Sequence, residues 1–98
     1  MKAERNDRAR KSLGVGCMFL NTMGVGALSD EEQSRLREAV ENFDDFNEEN
    51  DPYNEHDFGK ITMDGTNYFW KIDDYGEDYA SHGASHRLVL TLMRADEY

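Results

Sequence analysis

Positive charge is scarce in this sequence. Eleven Lys and Arg stand against 21 Asp and Glu in 98 residues, a net charge of −10, with a pI near 4.6. Direct nucleic-acid binding needs clustered Lys and Arg, so none is expected, and adsorption to an anionic membrane is disfavoured for the same reason. Cysteine is limited to Cys17, which cannot close an intramolecular disulfide. Its neighbours Met18, Phe19 and Leu20 suggest a buried thiol in a reducing cytoplasm. No apolar run approaches the length of a transmembrane helix. Basic residues up to Lys11 followed by the mostly apolar Leu13 to Leu28 imitate a secretory signal, but Glu4 and Asp7 interrupt the basic part and Asn21 and Thr22 the apolar part. A cytoplasmic chain of one domain is the expectation.

The residues that are present outline a small α+β fold. Residues 1–12 are polar and basic-leaning and read as an arm or a short helix with little apolar surface to hold it down, ahead of a single domain over 13–98. Val15 to Thr22 reads as a strand between glycine pairs. Ser29 and Glu32 have capping-box spacing, and Leu36, Val40, Phe43 and Phe46 follow at helical intervals, which predicts a long helix over 30–46. That helix is expected to stop before Asn50–Asp51–Pro52. Asp64–Gly65 is a two-residue turn between Phe58–Met63 and Thr66–Asp73, which sets Met63 opposite Thr66, Ile61 opposite Tyr68 and Gly59 opposite Trp70. Residues 74–85 read as a loop and His86 to Arg94 as a buried last strand. The expected architecture is an antiparallel sheet of about four strands with one long helix packed on one face and a short N-terminal helix.

Three stretches carry a resemblance: Glu49 to Gly59, Trp70 to Gly76 and Arg87 to Tyr98. They resemble the DNDPYGEHDFG-like, WKIDYYD-like and RVLTIMLADEY-like blocks of a family of small bacterial and mobile-element proteins catalogued as a domain of unknown function. The likeness covers most of the chain from about residue 13 onward. Asn54, Asp74 and Arg94 depart from it, which bears on the local turn and on the edge of the last strand. The resemblance implies a prokaryotic cytoplasm and brings no catalytic residues with it.

Glu55–His56–Asp57 is the most enzyme-like triplet, since a carboxylate-oriented imidazole can act as a general base or bind a metal. Consecutive residues at a strand entrance point to opposite faces, however, so a turn-stabilising role weighs more heavily. His82 and His86 lack a helical context for zinc. Asp45, Asn47 and Glu49 begin like a calcium loop, but Asn50 replaces its glycine and His56 its bidentate Glu. The glycines near residues 14–26 lack a following Lys–Ser/Thr for phosphate. No catalytic residue, metal or cofactor is expected.

The strongest signal is electrostatic. From Glu38 to Asp57 there are nine carboxylates and no Lys or Arg. On one helix, Glu38, Glu41, Asp45 and Glu48 would form a stripe at i, i+3, i+7 and i+10, an array comparable to nucleic-acid phosphates. The leading expectation is a non-enzymatic inhibitor, similar in size and charge to anti-CRISPR and anti-restriction proteins of phages and plasmids. It would bind the basic nucleic-acid site of a host defence complex through Glu38, Glu41, Asp44, Asp45, Glu48 and Glu49, with Tyr53 as an aromatic anchor. A second reading is a bacterial partner-binding module using the turn Asp51–Asp57 and the Tyr68–Trp70 region. A third is a small metal-dependent enzyme using Glu55, His56 and Asp57.

Overall fold

The computed structural model describes residues 2–13, 17–75 and 87–98. Among them the elements run α1 (Lys2–Arg10), β1 (Met18–Asn21), α2 (Met23–Gly26), α3 (Asp30–Glu41), β2 (Phe58–Met63), β3 (Thr66–Asp74) and β4 (Leu88–Arg94), ending in a 3₁₀ turn, Ala95–Glu97. Residues 14–16 and 76–86, with His82, His86, Gly76 and most of the expected 74–85 loop, lie outside the described residues.

The four strands form one sheet in the order β1-β4-β3-β2. Its β2–β3 hairpin has the expected register: Met63 faces Thr66, Ile61 faces Tyr68 and Gly59 faces Trp70. Asp64 and Gly65 both adopt positive φ, 53° and 80°, the conformation that matches a tight turn to the twist of its strands. β3 and β4 are antiparallel, with Trp70 opposite Leu92. The expectation of a purely antiparallel sheet is overturned at β1, which pairs parallel with β4, Phe19 opposite Leu90. Topology supplies the reason. α3 carries the chain back to the end from which β1 set out, so β2 runs in the same direction as β1. Two reversals later β4 does too, and it enters beside β1 as a parallel neighbour.

The expected long helix is also corrected: three short helices are present among the described residues, and α3 ends at Glu41. It begins as predicted. Ser29 Oγ accepts from the Glu32 amide at 3.2 Å, and Glu32 Oε1 accepts from the Ser29 amide at 3.2 Å. It stops early for two reasons. Its last turn holds acids and no base, which opposes the helix dipole. In addition, the Val40 and Glu41 carbonyls are taken by Arg10 Nη1 at 2.8 and 3.1 Å. The freed chain lets Phe43 and Phe46 turn edge-on to Trp70, with ring centroids 5.4 and 6.2 Å away.

The core lies between the helices and one sheet face, where Leu36, Val40, Trp70, Leu90 and Leu92 are buried with Val25 and Cys17. α1 joins it despite its polar sequence: Asn6, Ala9 and Arg10 are buried. Polar contacts hold it. Asn6 Nδ2 donates to the Glu55 carbonyl at 2.9 Å, and Arg5 pairs with Asp74 at 2.9 Å.

At the other end of the sheet, Glu97 receives the Thr22 hydroxyl at 2.6 Å, the Gly24 amide at 2.8 Å and the Arg94 amide at 2.9 Å. The Thr22 hydrogen bond, then the two amides, hold its carboxyl below the ordinary value of 4.5. A carboxyl lowered in the fold adds stability that is present above its unfolded value and lost as pH falls through its folded one. Urea unfolding of the wild type should therefore lose midpoint steeply as pH drops below about 4.5. Glu97→Gln should start lower and show a shallower acid slope. Equal slopes for the two proteins would remove Glu97 from the acid response.

Candidate functional site

Asp51 organises the loop that leads into β2. Its side chain, almost fully buried, accepts from the Glu55 amide at 2.8 Å and from the His56 amide at 3.2 Å. Asn54 and His56 are thereby held at positive φ, 55° and 54°. Asparagine adopts that region more readily than most residues, which accounts for Asn54 at a position where the resemblance has glycine. For histidine the conformation is strained, and it persists because the surroundings hold the ring on several sides. His56 stacks on Phe46, with centroids 3.8 Å apart and planes within 3°. Its Nδ1 lies 2.9 Å from Asp7 Oδ1, and its Nε2 faces Asp51 Oδ2 at 3.6 Å. An ionised carboxylate can only accept, so Nδ1 carries a proton and donates to Asp7.

Asp7 is also the partner of Arg10 Nη2 at 3.0 Å. Burial pushes the Asp7 carboxyl up, but the hydrogen bonds and charges of His56 and Arg10 together outweigh it and leave it below the ordinary value. The Arg10 guanidinium meanwhile sits 5.6 Å from the centroids of both Phe46 and Trp70. Beside this cluster is a pocket of about 340 Å³ lined by Asp7, Arg10, Lys11, Asp44 and His56 among others.

Within the Glu55–His56–Asp57 triplet, the imidazole takes its carboxylate partners from outside it. His56 turns to Asp7 and Asp51, while the Asp57 carbonyl accepts from the Ile72 amide at 2.8 Å and continues the sheet ladder. Burial, and then the charge of Glu55, raise the Asp57 carboxyl above its usual value.

The acidic residues 38–49 do not form a helical stripe, because only Glu38 and Glu41 belong to α3. Glu41 is half-buried and lies 3.7 Å from Arg37 Nε. Asp44 lines the Arg10 pocket. Glu48 lines a second hollow with Pro52 and Asn54. Asp45 and Glu49 line a third, against the sheet. The set is thus a bent strap that faces several hollows, not a row. Glu38, Asp44, Asp45, Glu48 and Glu49 are exposed, and none makes an ion pair among the described residues. Arg5, Arg35, Arg37, Lys71, Arg87 and Arg94 are spent on other acids. Tyr53 is 82% exposed beside this strap. By contrast Tyr68 and Trp70, offered as a contact region, are 4% and 0% exposed and belong to the core. They cannot touch a partner, because the strand alternation that buries them turns Phe69 outward instead.

That outer sheet face holds what the sequence reading missed. Phe58 and Phe69 lie 5.2 Å apart, and Tyr98, 75% exposed, stands edge-on to both at 5.8 and 5.5 Å. The available signal was alternation: Phe58 and Phe69 are each one position away from the buried Gly59–Trp70 pair. The placing of Tyr98 depends on the final 3₁₀ turn and had no such signal.

Among the described residues no helix is long and apolar enough to cross a membrane, and no group of three or more His, Cys, Asp or Glu is placed to hold a metal ion. No curated protein and no solved structure matches the chain. Residues 21–97 match a family described as protein of unknown function (DUF3768). That stretch takes in α2, α3, the acidic strap, the hairpin, β4 and the closing turn. The chain belongs to this family.

Proposed function

We propose that this protein is a non-enzymatic binding protein that sets its acidic strap against a basic surface of a protein partner in the bacterial cytoplasm. The inhibitory form of this reading is an anti-CRISPR or anti-restriction activity, in which the covered surface is a nucleic-acid site of a phage-defence complex. One observation carries it: Arg5, Arg35, Arg37, Lys71, Arg87 and Arg94 pair with other acids, and Glu38, Asp44, Asp45, Glu48 and Glu49 are exposed without an ion pair among the described residues. Like charges held this close oppose folding, and a cationic partner relieves that repulsion on binding. The strap is bent, so the reading rests on charge density and not on a phosphate-like spacing.

The test is capture from a bacterial lysate at low and high salt with the wild type and with Asp44→Lys, Asp45→Lys and Glu48→Lys combined. Basic proteins should be retained at low salt, released at high salt, and bound at least about tenfold more weakly by the variant. Capture indifferent to both salt and charge reversal would sink the proposal.

A further inference from the structure

We infer that the hollow between the acidic strap and the outer sheet face receives an arginine side chain of the protein partner. This rests on the function proposed above and names the group recognised. The hollow measures about 310 Å³ and is lined by Asp45, Glu49, Phe58, Phe69 and Lys60, with Asn47 and Asn50 behind the acids. That is the small end of the size range of ligand pockets, suited to one side chain and not to a cofactor.

Its floor is aromatic. Phe58 and Phe69 meet at a 39° tilt, and Tyr98 braces both edge-on. Its rim is anionic and built in advance. Asn47 Oδ1 accepts from the Glu49 amide at 2.9 Å, Asn50 Nδ2 donates to the Asp45 carbonyl at 2.8 Å, and Asn50 Oδ1 accepts from the Asn47 amide at 2.9 Å. Neither Asp45 nor Glu49 makes an ion pair among the described residues.

Charge complementarity selects the occupant. An anion is repelled, and an apolar side chain would strip water from two carboxylates and give nothing in return. An ammonium answers the carboxylates and is drawn to a ring face, but as a compact point charge it neither stacks flat on the ring nor forks onto a carboxylate. A guanidinium answers both parts, since its plane stacks on a ring while its edge forks onto a carboxylate. Lys60 is the cation already there. It sits on β2 opposite Phe69, exposed, and without an ion pair among the described residues, so it screens the hollow without filling it.

The experiment is a nuclear magnetic resonance titration of the intact protein with three short glycine-spaced peptides carrying arginine, lysine or citrulline. Arginine should shift Phe58, Phe69, Asn47 and Asn50, lysine should bind severalfold more weakly, and citrulline should not bind. Asp45→Asn with Glu49→Gln should weaken the arginine peptide about tenfold, and Phe69→Leu severalfold, with the buried Trp70 indole signal reporting an unchanged fold. Glu38→Gln with Glu48→Gln, which removes as many charges outside the hollow, should change it less than twofold. Lys60→Ala should tighten binding.

Equal binding of lysine and arginine, equal loss from the two double variants, or no arginine binding at all would each overturn the inference. Lysate capture separates this failure from that of the proposed function. If the Asp45→Asn/Glu49→Gln protein captures basic partners as well as the wild type does, the hollow is wrong and the acidic strap still stands.

Discussion

Arg10→Ala is expected to remove about 3–5 kcal/mol of stability, a large share of what a chain of this size possesses. Arg10 is 2% exposed, and one side chain serves three structures at once. Its Nη1 closes the end of α3 on the Val40 and Glu41 carbonyls, its Nη2 reaches Asp7, and its guanidinium lies over Phe46 and Trp70. Alanine takes a donor from the Val40 and Glu41 carbonyls, leaves Asp7 with His56 alone, and opens a void beneath two aromatic rings. Lysine would keep the charge but not the fork, so Arg10→Lys should recover less than half of the loss. Urea unfolding followed by Trp70 emission gives the free energy. Hydrogen exchange should quicken in α1 and at Asn42–Phe46 together, because Arg10 ties the two segments. A loss within about 1 kcal/mol would mean that α1 is held by its other contacts.

This one residue also explains where sequence reasoning stopped short. The capping box at Ser29 and the Asp64–Gly65 turn were legible because each is decided within four residues, by a hydrogen bond in one case and by positive φ in the other. The end of α3 was not. Phe43 and Phe46 have the spacing of a helical stripe, and the same spacing serves a segment that turns onto Trp70. What decides between them is Arg10, about thirty positions earlier, together with an acid-rich last turn. The parallel pairing of β1 was illegible for a related reason. Alternation tells which face a residue takes and nothing about which strand lies alongside.

At the site, the density of acid was legible and its shape was not. Treating residues 38–48 as helix made a straight row of what is a bent strap. The helix break that destroyed the row also placed Asp45 and Glu49 above Phe58 and Phe69, where charge and aromatic surface meet. A contact role for Trp70 itself could have been rejected from sequence, since a tryptophan that needs a glycine opposite it is already committed to the interior.

That pairing gives the second large effect. Gly59→Ala is expected to cost about 3 kcal/mol, at the upper end for overpacking a core, and to lower Tm by more than about 10 °C. A β-carbon on Gly59 would collide with Trp70 Nε1 and stand 2.7 Å from Phe43 Cζ. Neither ring has room to retreat: Trp70 is fully buried, and Phe43 is wedged edge-on between it and Phe46 at 5.4 and 5.1 Å. A second-site change separates collision from loss of the β2–β3 pairing. The Trp70 indole N–H is buried and makes no hydrogen bond among the described residues. Trp70→Phe therefore removes a donor that already costs about 1–3 kcal/mol, along with the atom that meets the new β-carbon. In the Gly59→Ala background it should be far less damaging than in the wild type, and the double variant should be more stable than the two separate losses predict. Additive losses would mean that alanine weakens the strand itself and not the fit between glycine and indole.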